Sequence, residues 1–199
     1  MDRRPKGRYE ISIKLQLANY DQDHLEKFKR FLNSTHPIKN YKEKSFGKEK
    51  IASRIMFSNL HMGKILMEEF GLIPHRDTID KLVSQIPESL IRHFIRGIYD
   101  AEGSTVFYYN ANCLKAHCSF TTLKVLILWI QNHLLKESIV LSKTKLDKRH
   151  KNRDTTDSRL IISGTRQSVH FLKWLYKDAS VFMNRKHLKF LELKEKLGE

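Results

Sequence analysis

Two carboxylates stand at the end of an apolar helical segment, in the order Asp100-Ala101-Glu102-Gly103. Acidic residues destabilise a helix near its C-terminus, because the helix dipole is negative there. A cationic group beside them would offset that cost, and a metal ion would serve, since hard divalent cations bind carboxylate oxygens. The spacing therefore indicates a candidate cation site where this helix ends.

The segment before the acids has the pattern of an amphipathic helix over residues 87–103. Apolar residues recur there at spacings of three and four, namely Leu90, Ile91, Phe94, Ile95 and Ile98. Pro87 is accepted in a first helical turn, and Glu88 complements the positive end of the helix dipole. Gly97 costs about 1 kcal/mol of helix stability relative to alanine. A glycine at this place suggests a close approach by the backbone of another helix.

The composition is that of a globular and strongly basic protein. Its 199 residues include 37 Lys and Arg against 22 Asp and Glu, a net charge of +15. Such an excess points to a polyanion, most simply nucleic acid. No apolar segment approaches the roughly 20 residues of a membrane span, and no signal peptide is visible. We expect a cytoplasmic protein, nucleoid-associated or organellar if organelle-encoded, with Cys113 and Cys118 reduced.

Two stretches of the chain follow the same order of predicted elements. The first has a strand over 8–18, a helix to about residue 33, a basic hairpin turning at Gly47 and a helix over 60–70. After the helix over 87–103, the second stretch has strands over 105–109 and 115–121 and a helix over 123–136. A second basic hairpin with arms at 139–146 and 156–163 follows, and then a helix over 166–177. Residues 53–58 match residues 158–163 at an offset of 105. This pattern indicates an internal duplication, with domains at 1–86 and 87–199.

The motif from Ile95 to Gly103 resembles the nonapeptide that names the LAGLIDADG homing endonucleases. The likeness extends to residues 94–104, 175–179 and 184–186, which resemble the intron and intein group of that family. The resemblance implies an α+β fold of tandem α-β-β-α-β-β-α repeats, whose antiparallel strands form a saddle on DNA. The implied contacts between motif helices involve four residues, Gly97, Gly103, Ile98 and Phe94.

The resemblance also implies the chemistry. An acid from each of two motif helices binds a divalent metal, usually Mg²⁺, which activates water and stabilises the leaving 3′ oxygen. By its position in the motif Glu102 is the metal ligand. Asp100 is the other catalytic candidate, although a structural contact at the helix end is the better interpretation of its position.

The strands and hairpins implied by the resemblance would bind double-stranded DNA. Outward strand residues would meet base edges in the major groove, and lysines at hairpin tips would contact phosphates. The candidate DNA-binding residues are Lys14, Gln16, Lys42, Lys44, Lys48, Lys50, Arg54, Lys115, Lys143, Lys145, Lys148, Arg149, Lys151, Arg153 and Arg159.

One departure from the family pattern bears on activity. The offset of 105 places the counterpart of Glu102 ahead of Met1, so the first repeat is expected to lack its motif helix and first strand. The chain is then a fragment or starts at a misassigned codon, is a degenerate copy, or takes the helix from another copy or a separate peptide. The predicted function is sequence-specific DNA cleavage of the homing type. The alternative is a non-cleaving nucleic-acid binder, either a regulator or an intron maturase.

Overall fold

A computed structural model of the chain describes residues 11–45, 47–72, 80–140, 146–147 and 157–199. The chain divides into two compact units, Met1–Leu82 and Val83–Glu199. A short helix, α3 (Asp80–Ser84), lies at this boundary. No helix in the described ranges is long and apolar enough to span a membrane.

The first unit is a three-stranded antiparallel sheet covered by helices. Its elements are β1 (Ser12–Ala18), α1 (Gln22–Phe31), β2 (Lys39–Ser45), β3 (Lys48–Ser58) and α2 (Leu60–Glu68). The strand order is β1-β3-β2. Leu25 of α1 and Ile55 of β3 are fully buried, because the alternation of the strands places their apolar residues on the helix side.

The second unit is built in the same way around a larger sheet. Its elements are α4 (Glu88–Glu102), β4 (Gly103–Asn110), β5 (Cys113–Leu123), α5 (Lys124–Lys136), β6 (Leu146–Asp147), β7 (Asp157–Ser163), α6 (Thr165–Tyr176) and α7 (Asn184–Glu195). The strand order is β4-β5-β7-β6. Tyr99, Phe120 and Phe171 form its aromatic core, with ring centroids 5.5–6.0 Å apart.

The predicted duplication is confirmed by the registers of the two sheets. In the first, Ser12 pairs with Ser58 and Gln16 with Arg54. In the second, His117 pairs with Ser163 and Thr121 with Arg159. All seven rungs of the β1–β3 ladder recur in the β5–β7 ladder with both partners shifted by 105 residues.

The described part of the first unit has counterparts of β5, α5, β6, β7 and α6. It holds no counterpart of α4 or β4 within residues 11–45 and 47–72. Each unit therefore has one strand–helix–hairpin–helix core, and within the described residues the second unit has α4 and β4 before this core.

Most predicted elements are confirmed, and one hairpin arm differs. The helix predicted over 87–103 is α4, with Pro87 as its N-cap and Gly103 as its C-cap. The arm predicted from Ile139 was wrong at its start. Ile139 and Val140 are buried in a bend whose amides donate to the Leu134 carbonyl, and the described strand begins at Leu146. Their apolar character goes with burial directly after α5, not with strand alternation.

Candidate active site and nucleic-acid interface

Helix α4 has one face in the core and one face open. Ile95, Arg96, Tyr99 and Asp100 are buried, whereas Gly97, Ala101 and Glu102 are exposed. Leu90 is 50% exposed, and Phe94 and Ile98 are partly exposed on the same open side. The apolar residues predicted to form one stripe therefore lie on two faces of α4. Ile95 and Tyr99 are buried in the core, whereas Leu90, Phe94 and Ile98 lie on the open face.

Asp100 is a buried structural residue at the end of α4. It is 2% exposed. Its Oδ2 accepts a hydrogen bond of 3.0 Å from the Met183 backbone N–H, and its Oδ1 accepts one of 3.4 Å from the Tyr176 hydroxyl. Burial, together with the Asp100 carboxylate, raises the pKa of Tyr176 well above its ordinary value. Tyr176 therefore remains a protonated donor, and Asp100 is oriented into the unit rather than toward solvent.

Arg96, one helical turn before Asp100, binds the same connecting segment. Its Nε donates to the Val181 carbonyl at 3.0 Å, and its Nη1 donates to the Leu175 carbonyl at 3.4 Å. Arg96 and Asp100 together hold the connection between α6 and α7 against the motif helix. This fixes the place where α7 begins.

The position of α7 brings a lysine to the end of α4. Lys186 is 6% exposed, and its Nζ donates a 2.7 Å hydrogen bond to the Tyr99 carbonyl. An ammonium group at a helix C-terminus is stabilised by the helix dipole, and here it shares the Tyr99 carbonyl with the Gly103 N–H. The sequence predicts a cationic group near Asp100 and Glu102, and Lys186 supplies one such group at the end of α4. Sequence reasoning missed it because 87 residues separate it from Tyr99.

Glu102 stands at the exposed end of α4, beside a basic pocket. A cavity of about 270 Å³ lies where α4 passes into β4, lined by Gly103, Ser104, Thr105, Arg185, Lys186 and Lys189. The lining includes three cationic side chains and two hydroxyl groups, of which Lys186 donates to the Tyr99 carbonyl and Lys189 pairs with Glu192 at 2.9 Å. No group of three or more His, Cys, Asp or Glu side chains suited to hold a metal occurs in the described part of the chain. Glu102 is an exposed carboxylate one residue before Gly103, which lines this basic cavity.

The two glycines of the motif have different surroundings. A Cβ at Gly103 would collide with the carbonyl oxygen and the ring of Tyr99, so glycine is required where α4 turns directly into β4. A Cβ at Gly97 would meet no described atom within 4 Å. The close approach predicted at Gly97 is not made within the described residues, and its role in a helix interface stays a prediction.

The register assigns the predicted strand residues to faces. Opposed residues of an antiparallel pair lie on the same face of the sheet. The outer face is the one that points away from the helices. The candidate DNA-binding residues of the inner strands lie there: Lys14, Gln16 and Arg54 in the first sheet, and Lys115 and Arg159 in the second, with Ser12 and His117 on the same faces. These placements are confirmed. Contact with DNA remains a prediction.

The hairpin lysines are distributed over both faces. Lys50 opposes Glu43 and lies on the outer face, and Lys48 opposes Ser45 at the end of the same ladder. Lys42 and Lys44 alternate onto the other face and are exposed. The tip of the second hairpin lies outside the described residues, and with it Lys143, Lys145, Lys148, Arg149, Lys151 and Arg153.

Comparison with solved structures relates this arrangement to known proteins. The chain matches the LAGLIDADG homing endonuclease I-GzeII in complex with its DNA target, with a TM-score of 0.61 and 9% identity, covering 98% of this chain and 82% of that one. It matches meganuclease I-SmaMI bound to uncleavable DNA, with a TM-score of 0.58 and 9% identity over 94% and 79%. It also matches LAGLIDADG meganuclease I-CpaMI bound to uncleaved DNA, with a TM-score of 0.54 and 10% identity over 94% and 80%.

At the level of sequence, no family model matches the chain, and no curated protein matches it either. The likeness is therefore one of fold, carried by the duplicated sheets and the motif helix rather than by overall identity. Several of the matched structures hold DNA. This chain has the fold of the LAGLIDADG homing endonucleases.

Proposed function

We propose that this protein is a sequence-specific, metal-dependent endonuclease of double-stranded DNA, acting in intron or intein mobility. The observation that carries the proposal is the end of α4, where exposed Glu102 adjoins the basic pocket formed by Arg185, Lys186 and Lys189. The carboxylate and the basic side chains together offer a metal ligand and phosphate-binding groups at the end of one helix, whereas phosphate binding alone requires only the basic groups. The DNA-bound structures of the same fold support the choice of substrate.

The residues present fit one half of a magnesium site. Magnesium is commonly bound by one or two carboxylates together with water and substrate phosphate oxygens. Glu102 offers one exposed carboxylate, and Asp100 is committed to Met183 and Tyr176. When bound, the metal would supply activation of water and stabilisation of the leaving 3′ oxygen. A second carboxylate would come from a second motif helix packed beside α4.

The chain's own residues would position the DNA around that site. Arg185 and Lys189 in the pocket would hold the backbone phosphate next to Glu102, as charge-assisted hydrogen bonds to phosphate favour. Lys186 would hold the end of α4 in place through the Tyr99 carbonyl. The outer faces of the two sheets would present Lys14, Arg54, Lys115 and Arg159 to the DNA.

The proposal predicts strong DNA binding that depends steeply on salt. We expect the full chain to bind duplex DNA with an affinity that falls by about 10³-fold or more between 50 and 200 mM salt, as several phosphate contacts require. Fluorescence anisotropy with a labelled duplex measures this. A randomised plasmid library incubated with Mg²⁺, followed by sequencing of the cut ends, tests cleavage. Salt-independent binding and uncut plasmid would together contradict the proposal.

A non-cleaving binder is the second candidate, as a transcriptional regulator or intron maturase. It is favoured by the single motif helix, and so the single motif acid, in the described part of the chain. The two functions differ in one observable. A binder would select a DNA or RNA sequence but would give no cut product in Mg²⁺, Mn²⁺ or Ca²⁺.

We propose that the open side of α4 packs against α4 of a second copy of the chain. Its stripe of Leu90, Phe94 and Ile98 surrounds Gly97, where a partner backbone has room to approach. Such a helix would also bring a second carboxylate beside Glu102. Self-association therefore belongs to the same proposal as cleavage.

Substitution of Gly97 tests this surface. We expect the wild type to associate with increasing concentration in sedimentation velocity, and Gly97→Leu to weaken association at least tenfold because the added side chain fills the approach. The melting temperature of Gly97→Leu should not fall, since no described atom lies near that Cβ and leucine favours the helix. A monomeric wild type, or unchanged association of the variant, would contradict the proposed surface.

A further inference from the structure

Arg54 and Arg159 occupy the same position in the two sheets. Arg54 opposes Gln16 in the β1–β3 ladder, and Arg159 opposes Thr121 in the β5–β7 ladder. Both pairs are the fifth rung of a seven-rung register with a constant offset of 105 residues. They are the only arginines in these two ladders, and both lie on the outer face.

The guanidinium group of Arg54 is held in place from three sides. Its Nε donates a 2.8 Å hydrogen bond to Gln16 Oε1, and its Nη2 lies 3.8 Å from Glu43 Oε1. Gln16 Nε2 in turn donates to Glu43 Oε1 at 2.6 Å. The Arg54 Cζ lies 4.3 Å from the centroid of the Tyr41 ring, which fixes the plane of the fork. Nε is bound to Gln16 and Nη2 also lies near Glu43, so a base would be read by Nη1 together with the remaining N–H of Nη2.

Arg159 is held by a different partner. Its Nη2 donates a 2.9 Å hydrogen bond to Ser119 Oγ, and Ser119 is only 3% exposed although it lies on the outer face. The guanidinium group therefore lies over the sheet rather than extending freely into solvent. In both sheets the arginine is oriented before any ligand binds, which reduces the conformational entropy lost on binding.

We propose that Arg54 and Arg159 each read a guanine, so that the DNA target carries two guanines recognised by corresponding positions of the two sheets. An oriented guanidinium fork matches the O6 and N7 acceptors of guanine in the major groove, and no other base presents that pair. Gln16 acts as a positioning residue for Arg54. The inference rests on the proposed DNA binding and adds the identity of two bases.

The test is selection of bound sequences from a randomised double-stranded DNA library in EDTA, with the full chain. The wild type should enrich sites with two fixed guanines. Arg54→Lys should lower the guanine preference about tenfold at one of them, and Arg159→Lys at the other, because lysine keeps the charge but loses the bidentate fork. Gln16→Met should weaken the preference only at the Arg54 base, with an unchanged melting temperature.

The matched control is Arg166→Lys on α6, an exposed arginine on the helix side of the second unit, which should change neither preference. Loss of preference at both bases in either lysine variant, or at neither, would overturn the assignment. A wild type that binds and selects a sequence without guanine at two positions would also overturn it while leaving the proposed function intact. A wild type that enriches no sequence would contradict sequence-specific recognition itself.

Discussion

Glu102→Gln is expected to lower the rate of DNA cleavage in Mg²⁺ by about 10³-fold while leaving DNA affinity in EDTA unchanged within about threefold. The amide keeps the size of the side chain but loses the charge that would bind the metal. Several kcal/mol of transition-state stabilisation depend on that ion, and each 1.36 kcal/mol is a factor of ten in rate. Because Glu102 is exposed at the end of α4, the substitution leaves the core intact.

The matched control for this variant is Glu88→Gln at the other end of the same helix. Glu88 is 75% exposed and pairs with Lys136 at 3.2 Å, so its loss removes the same charge far from the pocket. Quantitative cleavage of a plasmid bearing the selected site measures both variants against the wild type. Equal cleavage by Glu102→Gln and Glu88→Gln would remove Glu102 from the mechanism.

Asp100→Ala is expected to lower the free energy of unfolding of the second unit by about 3–5 kcal/mol. The substitution leaves the Met183 N–H and the Tyr176 hydroxyl without their acceptor and deprives the nearby buried Arg96 of an adjacent negative charge. Buried donors without partners and broken buried ion pairs cost energies of this size. Asp100→Asn, which keeps one acceptor oxygen, should cost less, about 1–2 kcal/mol.

Urea unfolding followed by tryptophan fluorescence suits this measurement. Both tryptophans of the chain, Trp129 and Trp174, lie in the second unit, so the signal reports on that unit. The control is Asp178→Asn, because Asp178 is 73% exposed and pairs with Arg92 at 3.6 Å, and asparagine tolerates its φ of 54° as aspartate does. An exposed pair contributes at most about 1 kcal/mol. Equal losses in the two variants would contradict the structural role assigned to Asp100.

Much of the fold could be predicted from local patterns. The alternation from Ile11 to Leu17 and the repeat of residues 53–58 at 158–163 identify strands and their duplication, because side-chain period and burial are linked in a sheet. The helix over 87–103 was equally clear from its spacing of apolar residues. Each strand and helix is recognised from residues close together in the chain, and the duplication is recognised by comparing two such local patterns.

Features that depend on distant residues could not be predicted in the same way. Lys186 reaches Tyr99, and Met183 binds Asp100, only after α6 and α7 have packed against α4. Ile139 and Val140 are apolar because they are buried in a bend after α5. In the sequence alone, two such apolar residues look like the start of a strand. The division of the α4 stripe into a core face and an open face likewise required the positions of β5 and α6.

The constant register of the two sheets has a consequence for the engineering of the protein. The β1–β3 and β5–β7 ladders share one register and one offset of 105 residues, whereas the pairing of the third strand with them is shifted. Arg54 opposes Lys39, but Arg159 opposes Asp147, three residues later than the offset requires. An exchange of side chains between the inner ladders can therefore be designed by adding or subtracting 105, whereas the hairpin arms need an alignment of their own.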